Sequence, residues 1–261
     1  MSPAGPIASL PMYDRAEIAG STNALWEAIR DALRQDGIEA PEKLTRAGSL
    51  WDHWRHPGLV LSQTCGLPYR KALHDSVTLI GTPDYALPGC PPGHYNSVIL
   101  MRPDDARTDS ADWPGLTLAL NDAISQSGWA AALETARAHG TRFGDHLETG
   151  AHRASVRAVA EGRADICFVD AQTWRLMSLW DSLAPKVTEI GRTAPSPGLP
   201  LISARGAEAE RIASAVRRAI ERMPAADRRT IGITGLTWIP PEAYLEKDIP
   251  EPPPASSLPP A

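Results

Sequence analysis

Apolar residues in this chain fall into short contiguous runs, separated by segments in which apolar positions recur every three or four residues. The runs Ile7–Met12, Leu59–Gln63, Val77–Thr82, Asn96–Arg102, Leu116–Asn121, Ile166–Val169, Val187–Ile190 and Leu201–Ala204 predict buried strands. Leu25, Ile29 and Leu33, with Trp26 widening the stripe, predict a helix from Ser21 to Gly37. Ser21, Thr22 or Asn23 can cap its start, and Gly37 suits the left-handed position just past its end. Further helices are predicted near Leu67–His74, Ser127–His139, Ala154–Glu161, Ala171–Ser182 and Ala207–Arg222.

Strands alternating with helices in short units imply mixed or parallel α/β sheets covered on both faces. There are two such blocks, with connections near Asn96–Arg102 and Ile190–Ser203. They predict two lobes: residues 1–98, a second lobe over 99–193, and a return to the first over 194–249. Residues 250–261 are dominated by proline and are expected to be a disordered tail. A single doubly wound domain is the alternative.

Composition narrows the function. With 43% hydrophobic and 22% charged residues, the chain is an ordinary globular protein. A net charge of −5 supplies no basic footprint, so nucleic acid is not expected as a partner. Cys65, Cys90 and Cys167 make no metal-ligand spacing, and an odd number leaves at least one thiol free. No cofactor is expected. No apolar run approaches the roughly 18 residues of a membrane span, so no membrane insertion is expected. The first 25 residues show no basic stretch followed by an apolar one. The chain as written is therefore expected in the cytoplasm, with the periplasm as the alternative.

Candidate chemistry gathers after the strands, where ligands bind in α/β sheets. The segment Asn121–Trp129 places Ser125, Gln126, Ser127 and Gly128 where a strand turns into a helix. Free amides and the positive end of the helix dipole suit an anion there. The competing reading is that Ser127 merely caps the helix. Ser62-Gln63-Thr64-Cys65-Gly66 ends another strand, and Cys65 near a helix start is either a reactive thiol or a small packing residue. His152, after Thr149-Gly150-Ala151, could donate to an anion, move a proton or cap its own helix. Asp170 could accept from an amine or hydroxyl, or simply cap the helix that follows. Tyr13 and Asp14 could add a wall to the same cleft. Of the eight tryptophans, Trp26, Trp174 and Trp180 read as core positions, and Trp129 lies beside the serines.

Taken in order, Gln63-Thr64-Cys65-Gly66, Gly81-Thr82-Pro83, Tyr95, Ser125–Gly128, Gly150–His152 and Ala164-Asp165 through Asp170 form a recognisable series. From near Ile7 to near Tyr244 the chain resembles the phosphate/phosphite/phosphonate-binding proteins of ABC importers. The resemblance implies a type II periplasmic-binding-protein fold, two-lobed, with a central cleft and two hinge strands. It implies that Ser125, Gln126, Ser127 and Gly128 hold the phosphonate oxygens, and that His152 faces the anion. It also carries Asp170 and Tyr13 into the binding site, and Gln63 and Thr64 are taken with them. Gln126 stands where the family often has another hydroxyl residue, and Ala151 where a polar residue is common.

The expected function is capture of a small polar solute, an oxyanion or zwitterion, without catalysis, for uptake through an ABC permease or for sensing. The alternative is an enzyme on the same fold using Cys65 and His152, since fold does not settle function. A third reading, the effector domain of a transcription regulator, would need a separate DNA-binding partner.

Overall fold

Every apolar run that predicts a strand becomes one, with ends shifted by a few residues. The computed structural model describes residues 5–256, which form two units. Residues 5–94 with Pro197–Lys247 make the first, and Tyr95–Ser196 with residues 248–256 make the second.

In the first unit the strands are β1 (Ile7–Ser9), β2 (Leu59–Gln63) and β3 (Val77–Asp84). The second unit contributes β4 (Ser97–Met101), β5 (Thr117–Leu120), β6 (Asp145–Glu148), β7 (Ile166–Asp170) and β8 (Thr188–Arg192). The chain then returns to the first unit for β9 (Leu201–Ala204) and β10 (Gly235–Thr237). The first sheet has the order β1-β2-β9-β3-β10, and the second β6-β5-β7-β4-β8. Both are mixed: β1 and β2 run parallel, as do β5, β6 and β7, while β9, β10 and β4 pair antiparallel with their neighbours.

The connections expected near Asn96–Arg102 and Ile190–Ser203 coincide closely with the unit boundaries, and beyond the first of them the run Asn96–Arg102 continues as β4, inside the second sheet between β7 and β8. The five residues of β4 are all buried, as an inner strand requires. The unit boundaries fall at His94/Tyr95, Ser196/Pro197 and after Lys247.

The helix predicted from Ser21 starts earlier, at Ala19, and runs to Gln35 behind a short 3-10 turn. None of the three expected caps sits at its start. Ser21 donates to Asp227 Oδ1 (2.7 Å), and Thr22 Oγ1 donates to the Ile18 carbonyl (3.2 Å). The expected stop is present. Gly37 has φ +76°, with Gly37 N–H bonded to Arg34 O and Ile38 N–H to Leu33 O, the paired closure of a Schellman motif. This helix packs against Ala209–Arg222.

Further in the first unit, Trp54, Leu59, Tyr69, Leu73, Ile202 and Tyr244 form one apolar cluster. In the second unit Met101, Trp113, Leu118, Trp129, Ile166 and Phe168 belong to another. Trp26 is buried as expected, but Trp180, at the end of helix Ala171–Trp180, is 52% exposed. The last turn of that helix leaves the packed face.

The expected disordered tail takes a defined path as far as Ser256. Trp129 Nε1 donates to the Glu251 carbonyl (2.9 Å), and Ser256 Oγ donates to His146 O (2.6 Å). Proline fixes φ and so lowers the entropy lost when these residues settle on the second unit. The rest of the expected tail, residues 257–261, lies outside the described residues. Among the described residues no helix is long and apolar enough to cross a membrane.

Candidate functional site

In the second unit the chain leaves β5, passes Asn121, and turns at Asp122, whose Oδ1 accepts from Ile124 N–H (2.8 Å). Ser125 is then in extended conformation and caps the next helix, its Oγ accepting from Gly128 N–H at 3.0 Å. The first turn, Gln126–Ala130, is a π-turn that runs on into helix Ala131–Ala138. Trp129 and Ala130 N–H both reach back to the Ser125 carbonyl. Such widened turns recur at functional sites.

Capping therefore belongs to Ser125, which leaves the Ser127 hydroxyl for another task. Ser127 Oγ lies 2.8 Å from His152 Nε2 and 3.5 Å from Ser125 Oγ. Ser97 Oγ, from β4, donates to the Ser127 carbonyl (2.9 Å) and holds the turn against the sheet. Gly128 is required on steric grounds: a Cβ there would stand 1.9 Å from Asn121 Oδ1, a buried oxygen with no hydrogen-bond partner among the described residues.

His152 opens helix His152–Ala160, which Ala151 precedes in extended conformation. Gly150 makes the turn at φ +80°. Thr149 fixes this turn to the end of β5, since its N–H (2.9 Å) and Oγ1 (3.0 Å) both donate to the Leu120 carbonyl. Thr149 Oγ1 also lies 2.7 Å from Ser155 Oγ, one turn into the helix. Two successive strand-to-helix turns are thus pinned beside each other, and the Ser127–His152 contact follows. His152 retains some solvent exposure as a residue, but its Nδ1 is buried. Burial lowers the ring's pKa from 6.5 to about 4, opposed by the Phe168 backbone. That backbone lies close enough to favour charge on the ring, yet makes no hydrogen bond of proper geometry to Nδ1. The ring is neutral at ordinary pH.

Asp170, buried at the end of β7, caps the helix after it: its Oδ1 accepts from Gln172 N–H (2.8 Å) and Thr173 N–H (2.9 Å).

The remaining sequence-predicted residues lie in the first unit. Tyr13 follows β1 and meets Tyr85 edge to face, with ring centroids 5.1 Å apart. Gln63 Nε2 donates to Leu199 O (3.2 Å) and lies 3.5 Å from the Tyr85 hydroxyl. Thr64 is fully buried, with its hydroxyl on Cys65 O (3.4 Å) and its N–H on Pro200 O (3.0 Å). Cys65 precedes the short helix Gly66–Pro68 and forms no disulfide. Cys65 and His152 belong to different units. Trp129 is buried, with its indole N–H on the tail.

Sequence reasoning missed Tyr85 and Ser97, and it took Asn121 and Thr149 only as members of the segments around Ser125 and His152. Each looks like an ordinary loop or cap residue until the fold gives it a partner. Among the described residues, no group of three or more His, Cys, Asp or Glu side chains is placed to hold a metal ion.

Residues 61–241 match the family described as ABC transporter, phosphonate, periplasmic substrate-binding protein. No curated protein matches the sequence. Among solved structures, the chain is similar to PhnD1 from Prochlorococcus marinus in complex with methylphosphonate. That match has 12% identity and a TM-score of 0.71, and covers 94% of this chain and 96% of that one. A binding-protein component of an ABC phosphonate transporter from Pseudomonas aeruginosa has 16% identity and a TM-score of 0.65, with 93% and 84% covered. A Xanthomonas citri protein bound to a chloride ion has 16% identity and a TM-score of 0.69, with 91% and 92% covered. The chain has the type II periplasmic-binding-protein fold and belongs to the phosphonate family of ABC-transporter substrate-binding proteins.

Proposed function

We propose that this substrate-binding protein takes an organophosphonate, and that the turn Ser125–Gly128 together with His152 receives its oxygens. The Ser127–His152 hydrogen bond carries the reading. A neutral imidazole has one N–H. When that proton is on Nε2, the ring donates to Ser127 Oγ, and the Ser127 O–H is free to donate to an anion. An arriving oxyanion favours this tautomer because it needs donors. Amides in the first turn of a helix lack acceptors within the helix and add to the same field. PhnD1, similar in fold, is in complex with methylphosphonate, which supports the ligand class. On the family's description we extend the proposal to an ABC permease as the partner that accepts the ligand.

Isothermal titration with methylphosphonate tests the reading. Ser127→Ala is expected to weaken binding by about 1–3 kcal/mol, the range for a hydrogen bond to a charged group. Unchanged affinity would reject Ser127 as a ligand.

The serine–histidine contact also has the geometry of a nucleophile and its base, so turnover needs its own argument. Burial makes His152 a weak base, and no carboxylate hydrogen-bonds Nδ1 among the described residues. We therefore infer binding without chemistry. Mass spectrometry after long incubation should recover the phosphonate intact, and conversion abolished by Ser127→Ala would establish the enzyme instead.

A further inference from the structure

Trp129 joins three parts of the second unit. Its backbone belongs to the π-turn Gln126–Ala130, and its N–H reaches the Ser125 carbonyl (3.2 Å). Its ring is buried in the apolar cluster with Met101, Leu118 and Phe168, and lies 6.2 Å, centroid to centroid, from His146 in β6. Its Nε1 donates to the Glu251 carbonyl (2.9 Å). Further along the tail, Ser256 Oγ donates to the His146 carbonyl (2.6 Å), with Asp145 Oδ1 3.2 Å away. The tail is thus fastened at two points, one on the ligand turn and one on β6, an edge strand of the second sheet.

Between these points stand Pro252, Pro253 and Pro254. Three consecutive prolines have little conformational freedom to lose, so fastening both ends costs less entropy. Proline also has no N–H to pair, so such a segment can lie against a sheet edge without extending the sheet.

The turn depends on its surroundings. π geometry is rare in helices, so contacts from outside must outweigh the preference for α geometry at Gln126–Ala130. Donors receive an anion well only when they are held in place before it arrives. Ser97 holds the turn through the Ser127 carbonyl (2.9 Å). Trp129 is another anchor, shared between the apolar cluster and the tail. With the tail released, the indole N–H would turn to water and the ring would lose one of its restraints.

We propose that Glu251–Ser256 is a strap that positions the ligand turn: through Trp129 it holds Gln126–Ala130 in the form that receives the anion, so that strap docking and ligand binding strengthen each other. The proposal rests on the phosphonate reading above and adds to it a positioning residue, Trp129, and control of the site by the tail.

Such coupling is reciprocal, so both directions are measured on the full chain. In NMR spectra the Trp129 indole N–H is the signal lost in Trp129→Phe. The Trp113 indole, bonded to the Arg107 carbonyl (3.1 Å) in the same unit, serves as reference for general stabilisation. Saturating methylphosphonate should slow exchange of the Trp129 indole proton about fivefold or more relative to Trp113, the lower end of usual coupling. In a variant carrying Pro252→Gly, Pro253→Gly, Pro254→Gly and Ser256→Ala, that proton should exchange fast. Calorimetry should then show methylphosphonate bound about fivefold or more weakly than by the wild type. A strap that only stabilised the fold would leave the Trp129 proton unmoved by ligand relative to Trp113, and the affinity of the folded variant unchanged. Either result overturns the proposal and leaves the phosphonate reading standing. If methylphosphonate does not bind the wild type, the phosphonate reading fails and the proposal falls with it. Should the variant lose its cooperative melt, or keep its indole proton protected, the wild-type exchange measurement decides alone.

Discussion

The Ser127–His152 hydrogen bond joins two residues 25 positions apart, each of which reads as an ordinary cap when taken alone. Its consequence for stability has a definite sign. Burial lowers the His152 pKa from 6.5 to about 4. The unfolded chain therefore takes up a proton as pH falls below about 6.5, while the folded chain does so only near 4. This contribution to stability is complete above pH 6.5 and is lost as pH falls through that window, by something on the order of 3 kcal/mol. Urea unfolding of wild type and His152→Gln from about pH 7 to pH 4 checks this. The wild type should lose more stability than the variant, and parallel profiles would contradict it. Gly128 makes a second prediction at this scale. With a Cβ 1.9 Å from Asn121 Oδ1, Gly128→Ala must push the Asn121 side chain aside. It should lower stability by about 1–3 kcal/mol, the usual cost of overpacking. An unchanged melting temperature would show that Asn121 moves freely.

At the scale of elements, contiguous apolar runs were legible because a buried strand needs apolar residues on both faces. Two strands of the five-stranded sheets escaped. β6 (Asp145–Glu148) is an edge strand with Leu147 as its only aliphatic residue, and β10 (Gly235–Thr237) has one central leucine. Their place is set by pairing with a neighbour, which no local pattern records. Helix starts were legible as regions but not as atoms. The series Ser125–Gly128 marked a helix beginning, yet Ser125 and not Ser127 turned out to be the cap, because the π-turn sets the geometry. Asp170 did read as a possible cap, and it accepts two amides at the start of helix Ala171–Trp180. Asp170→Ala should cost about 0.5–2 kcal/mol in chemical denaturation, and no change would mean that the helix start is held by other contacts.

For the whole molecule, the alternation of strands and helices led to two α/β units, and the boundaries at His94/Tyr95 and Ser196/Pro197 fall close to the segments read as connections. A five-residue apolar run does not by itself mark where the chain crosses, so the boundary lies just ahead of β4 rather than within it. The resemblance drawn from short motifs spread along the chain reached the family because those motifs sit in turns after strands, where the fold keeps them in order. It did not reach Tyr85, whose partner Gln63 lies 22 positions away, or the tie from Thr149 to the Leu120 carbonyl, 29 positions away. The central claim is that a phosphonate group sits on the Ser125–Gly128 turn beside His152. A crystal structure of the chain with methylphosphonate tests it most directly. Phosphonate oxygens should lie within hydrogen-bond distance, about 2.5–3.2 Å, of Ser127 Oγ, with Ser127 still held by His152 Nε2. A phosphonate bound with none of its oxygens near Ser127 Oγ would contradict the account.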